Sequence, residues 1–110
     1  MDEVERLLRR LALNDERSVG QVLASDAEEV AVTALVPKVD VLVRLAALLA
    51  LGASTASLRS NVERALETGA TEGEIVGVLV AVAPAVGLAR VLSSAPKLAL
   101  AIGYDIEADE

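Results

Sequence analysis

Residues 37–69 read PKVDVLVRLAALLALGASTASLRSNVERALETG. Pro37 suits the first turn of a helix, where its missing N–H costs nothing. From Val39 to Leu51 the run is nearly all aliphatic, with Asp40 near its start and Arg44 alone in its middle. Gly52-Ala53 marks a corner. Ser54 or Thr55 then offers an N-cap oxygen to a second helix, and Gly69 suits the left-handed position that closes it. The stretch predicts a central antiparallel helical hairpin, and the rest of the chain is read outward from it.

Upstream, residues 2–13 place Val4, Leu7, Leu8 and Leu11 on one helical stripe, which predicts an amphipathic first helix that packs on its own or a neighbouring subunit. Asn14-Asp15-Glu16-Arg17 reads as a polar break, with Ser18 capping a short turn through Leu23. Asp26 and Glu29 have the spacing of a capping box for a helix from Ala27 to Leu35. Downstream, Thr71 and Glu74 form a second such box. The helix they open is apolar and uncharged from Ile75 to Ala89, with Gly73, Gly77, Ala81, Ala85 and Ala89 at every fourth position. That pattern predicts a helix enclosed by protein, with a small-residue ridge for close helix packing. Pro84 is expected to bend or end it. A further helix follows from Leu88 to Ser94, Pro96 starts a last one through Ile102, and Gly103 closes it. The tail from Asp105 carries four carboxylates and is expected to fray. No strand pattern occurs. The prediction is an all-α, compact helical domain of five to seven helices, a single domain over residues 1–110 with an N-terminal helical extension at 1–25.

Composition narrows the functions. The chain is 54% hydrophobic with one aromatic residue, Tyr104, so its core is Leu, Val, Ile and Ala. That is more aliphatic surface than a small helical monomer hides, and a homo-oligomer is expected. Ten basic against 17 acidic residues give a net charge of −7, which opposes nucleic acid. With neither cysteine nor histidine, thiolate chemistry and sites built on those metal ligands are absent. No cofactor and no metal are expected. MDEVERLLRR lacks the features of a signal peptide, and the longest uncharged run is short for a membrane span and broken by Pro84, so a cytoplasmic protein without membrane contact is expected.

The candidate site residues lie on the hairpin. At 100° per residue, Ser54, Ser57 and Asn61 fall at about 0, −60 and −20 degrees, one narrow face of the second helix. Asn61 borders the apolar stripe of Leu58, Val62 and Ala65, while Arg59, Glu63 and Glu67 point away. An asparagine placed so needs hydrogen-bond partners. Arg44 has two readings: its guanidinium pairs with Asp40 four residues earlier, or it binds an anionic ligand in an apolar pocket. Ser94-Ala-Pro-Lys97 matches the S-x-x-K spacing of a serine nucleophile and its base but lacks the companion motifs of that chemistry.

Residues 36–103, and most specifically VERALETGATEGEIVGVLVAVAPAVGLARV at 62–91, resemble the carboxymuconolactone decarboxylase and alkylhydroperoxidase-D-like superfamily. The resemblance implies an all-α domain of the alkylhydroperoxidase-D-like type that assembles as trimers or hexamers. In the peroxidase-like branch the preceding helix carries C-x-x-C-x-x-x-H. Laid onto this chain, those positions fall at Ser54, Ser57 and Asn61, and an upstream glutamate falls at Leu42. The decarboxylase-like branch resembles Leu58-Arg59-Ser60-Asn61 with a histidine at the last position, and Asn61 departs from that too.

A serine hydroxyl has no two-electron redox cycle, so thiol peroxidase activity is excluded. The expected function is a redox-inactive member of the family. Its former active-site cleft, with Arg44, Ser54, Ser57 and Asn61 as ligand-binding candidates, would take a small, carboxylate-bearing molecule or serve assembly. The alternative is a cofactor-free acid–base lyase, isomerase or decarboxylase acting on a small carboxylic acid or lactone, with Asp40 or Glu63 moving protons. A third reading makes the first helix a partner-binding surface.

Overall fold

The computed structural model of the chain describes residues 2–24 and 34–107. Among them are six helices and no strand. The helices are α1 (Glu3–Ala12), α2 (Glu16–Ala24), α3 (Pro37–Leu51), α4 (Thr55–Glu67), α5 (Glu72–Val86) and α6 (Leu88–Ile102). Residues 27–33 of the helix expected from Ala27 to Leu35 lie outside those described, as does the end of the acidic tail at 108–110, and residues 34–35 are not helical. The chain divides into two compact units, residues 1–35 and 36–110.

In the first unit, Asp2 caps α1 by accepting from the Glu5 N–H at 2.7 Å, and Leu7 is buried. The second helix starts earlier than its serine suggested. Asn14 turns the chain at φ 59°, and Asp15 rather than Ser18 is the capping residue. Its Oδ2 accepts from the Ser18 N–H at 3.0 Å and from the Ser18 hydroxyl at 2.7 Å. A carboxylate offers stronger acceptors than a hydroxyl, and these two bonds hold the Asp15 pKa below its usual value. Ser18 therefore lies inside α2 as Asp15's donor.

The second unit is built on the predicted hairpin. Val41, Leu45 and Leu49 recur every four residues along α3, and Leu58, Val62 and Ala65 do so at three- and four-residue steps along α4. The two stripes meet in one core with Ala70, Ile75, Leu98 and Ala101, and α6 lies against both helices. Enclosing a leucine such as Leu45 contributes roughly 1.5–3 kcal/mol. The corner between α3 and α4 is closed by backbone bonds: Ala53 N–H donates to the Leu48 carbonyl at 3.0 Å and Gly52 N–H to the Leu49 carbonyl at 3.3 Å. This pattern requires a left-handed residue, which Gly52 supplies at φ 73°. The capping box at Thr71 and Glu74 is formed in both directions, at 2.9 and 3.0 Å.

The expectation for Pro96 is corrected, and Pro84 does not end its helix on the spot. Pro84 does not stop α5, which runs on to Val86, and Pro96 lies within α6 instead of starting a new helix. Each proline frees the carbonyl four residues earlier, and both of those residues are exposed, Val80 at 67% and Leu92 at 64%, so water can take the freed acceptors. At Pro96 the flanking side chains also hold the helix in place. Ser94 Oγ donates to the Leu49 carbonyl at 3.1 Å and Lys97 Nζ to the Ala53 carbonyl at 3.5 Å, which pins α6 to the C-terminal end of α3. Ser94-x-x-Lys97 is thus a structural pair whose members both bind backbone.

The enclosure expected for α5 is also absent from the chain itself. Only Ile75 is buried on that helix, and nothing approaches within 4 Å of a side chain built at Gly77. Gly87 ends α5, so Ala89 belongs to α6 and the small-residue ridge is interrupted. No helix among the described residues is long and apolar enough to cross a membrane.

Candidate functional site

At the entrance to α4 the backbone of Ser54 is extended, at φ −69° and ψ 160°. Its Oγ accepts from the Ser57 N–H and donates to Ser57 Oγ, both at 3.2 Å. Ser54 stands outside the helix as its cap, so local hydrogen bonds fix its position and helical phase does not. With Ser54 as donor, the Ser57 hydroxyl keeps its own hydrogen for another acceptor.

One turn further on, Asn61 is 6% exposed, set between Leu58 and Val62 in the wall that α4 presents to the core. Its Oδ1 is enclosed and has no hydrogen-bond donor among the described residues. An unmatched buried acceptor costs on the order of 1–3 kcal/mol. The Asn61 Nδ2, which carries two donor hydrogens, is not among the enclosed unmatched atoms.

An open cleft of about 430 Å³ lies against this face, lined by Leu48 from α3 and by Ala56, Ser57, Ser60, Asn61 and Arg64 from α4. The four polar residues stand at i, i+3, i+4 and i+7 along α4, one side of the helix. Of the sequence candidates, the cleft brings Ser57 and Asn61 together, with Ser54 behind Ser57. Ser60 and Arg64 complete it. Arg64 was not singled out from the sequence, although its place seven residues after Ser57 puts it on the same face.

Arg44 lies elsewhere. Its Nε donates to Asp40 Oδ2 at 2.9 Å, with both side chains 40–45% exposed, which is the first of its two sequence readings. Leu42, where the resemblance places an upstream glutamate, packs against the core. Neither Asp40 nor Glu63 lines the cleft, and Glu63 is exposed on the other side of α4. Among the described residues no group of three His, Cys, Asp or Glu side chains is placed to hold a metal ion. The lining offers hydrogen-bond donors, one guanidinium and two apolar side chains. Such a set can hold and polarise an acceptor-bearing anion, while none of its side chains is a carboxylate or imidazole that would exchange a proton near neutral pH.

The family model for the carboxymuconolactone decarboxylase family matches residues 20–100, and the chain belongs to that family. The match begins upstream of Val36, where the sequence resemblance began, and takes in the whole hairpin, α5 and most of α6. Neither a curated protein nor a solved structure matches the chain.

Proposed function

We propose that this chain is a redox-inactive carboxymuconolactone decarboxylase-like protein that binds a small carboxylate-bearing molecule in the cleft along α4. The observation that carries the reading is the lining itself: Ser57, Ser60 and Asn61, all able to donate, line one cleft together with the positive charge of Arg64. A carboxylate answers that set, since a guanidinium forms its strongest hydrogen bonds with planar anions. The retained scaffold and the absence of cysteine from the chain support the redox-inactive part. The acid–base alternative asks for a proton carrier, and Asp40, paired with Arg44, and Glu63 both stand outside the lining.

Titration calorimetry with 4-methylpentanoate and benzoate tests the reading. Binding with one site per chain is expected, weakened about tenfold or more in Arg64→Leu. Absence of heat with every carboxylate, or binding unaffected by Arg64→Leu, overturns it. Peroxide consumption by the purified chain would overturn the redox-inactive part separately.

The reading includes self-association in the cytoplasm, as a trimer or hexamer. Its support is the apolar surface on α5 and α6, where Val80, Leu88 and Leu92 are each more than 60% exposed. Light scattering on the eluting protein is expected to give a multiple of the 11.4 kDa chain mass, and a monomer at micromolar concentration refutes it.

A further inference from the structure

We infer that the cleft selects 2-oxo carboxylates, acids that carry a carbonyl oxygen beside the carboxylate, over 2-amino acids and over acids with no second acceptor. The inference rests on the carboxylate-binding reading above and adds what the neighbouring groups demand of the ligand.

Asn61 sets the demand on the ligand. Its Oδ1 is sealed in the wall, so the part of the amide that meets the cleft is Nδ2–H, a donor. On one side of it along α4 stands Arg64, three residues on, and on the other Ser57, four residues back. Helix neighbours at these spacings lie roughly 5–6 Å apart at Cβ, close enough for one small molecule to touch all three. Ser54 donates to Ser57 Oγ and accepts from the Ser57 N–H, so the Ser57 hydroxyl hydrogen is left for another acceptor. Asn61 and Ser57 thus place two neutral donors beside the guanidinium, and no side chain in the lining is an obligate acceptor.

A ligand that matches this order has a carboxylate for Arg64 and, on the adjoining carbon, an acceptor for Asn61 and Ser57. A ketone oxygen is such a group. An ammonium at that carbon would set its donors against the Asn61 N–H and place a second positive charge beside Arg64, a mismatch that acts as rejection. An acid with only hydrogen there leaves a nine-tenths buried amide donor without its partner, and sites built around a polar group discriminate strongly against ligands that lack it. A phosphate dianion fits less well, because the lining supplies a single cation. Leu48 and Ala56 provide the apolar side, which suits a branched aliphatic tail.

The test titrates the full chain with 4-methyl-2-oxopentanoate, 4-methylpentanoate and leucine, which share one carbon skeleton. The oxo acid is expected to bind about tenfold more tightly than 4-methylpentanoate, and leucine to give no heat. Asn61→Leu and Asn61→Asp, each checked for native helicity by circular dichroism, should bring the oxo acid down to the affinity of 4-methylpentanoate or below. Asn61→Asp keeps the shape but replaces the donor by an anion, so it reports on the N–H itself. Equal binding of the two acids by the unaltered chain overturns the inference and leaves the carboxylate reading standing. So does a preference that survives either substitution, or leucine binding as tightly as the oxo acid. If none of the three acids binds, the carboxylate reading falls and the inference falls with it.

Discussion

Two buried polar side chains of the second unit are treated differently. Ser94, on α6, is 2% exposed and donates to the Leu49 carbonyl. Asn61, on α4, is 6% exposed and leaves its Oδ1 without a donor. Buried polar groups are nearly always matched when their task is structural. Ser94 follows that rule and ties two helices together. Asn61 breaks it beside the cleft, and that departure is what the proposed carboxylate site accounts for.

The comparison is broken most directly by Asn61→Leu. Replacing the amide by an apolar side chain of similar volume removes the unmatched acceptor, and the unliganded protein is expected to gain about 1–3 kcal/mol in urea unfolding while losing carboxylate affinity. A loss of stability would mean that Asn61 has a structural partner after all. Ser54→Ala sharpens the contrast between scaffold and ligand groups. Loss of the α4 cap should cost about 1 kcal/mol, and carboxylate binding should survive in weaker form because Ser57, Asn61 and Arg64 remain. On the structural side, Ser94→Ala is expected to cost about 0.5–1.5 kcal/mol with carboxylate affinity unchanged. The Leu49 carbonyl keeps its bond from Gly52, which limits the loss.

The smallest effect belongs to the surface at the start of α5. Lys38 Nζ lies 2.7 Å from Glu74 Oε2, and the Lys38 ammonium together with the Thr71 N–H holds the Glu74 pKa below its usual value. A carboxyl whose folded pKa is depressed adds stability above its unfolded pKa and loses it as pH falls through the folded one. Tyr104 is opposite in sign. Its bond to Glu72 raises the phenol's pKa, so that contribution is present below the usual tyrosine pKa and lost as pH climbs through the raised value. Melting temperatures should therefore decline slightly at both ends, below about pH 4 and above about pH 10, and Lys38→Met should remove part of the acid limb.

Much of this was legible in the chain. The hairpin, its glycine corner and the Thr71 capping box are local patterns, and local patterns survive folding. The candidate face was legible for the same reason: Ser57 and Asn61 are four residues apart on a helix. What was missed had more than one cause. Pro96 reads as a helix start because proline is common there, yet Ser94 and Lys97 grip the end of α3 across more than forty residues and carry the helix through it. Ser18 and Asp15 are both good caps, and only the assembled turn shows that the carboxylate accepts from the serine. Arg64 escaped notice because the family motif stops at Asn61, although the same helical count reaches it at the next step. Of the two readings of Arg44, the local one, pairing with Asp40 at the surface, is the one seen, as the four-residue spacing allows.

The ring of Tyr104 is the chain's only aromatic group, and its hydroxyl rests on Glu72 at 2.6 Å. The molecule therefore carries a built-in optical reporter trained on one joint, where the segment after α6 meets the first turn of α5. Ultraviolet emission and near-ultraviolet dichroism will follow the loosening of that joint alone, while far-ultraviolet signals follow the helices. Any denaturant range in which the two diverge would mark a piece of the protein that opens before the remainder, without a single label being attached.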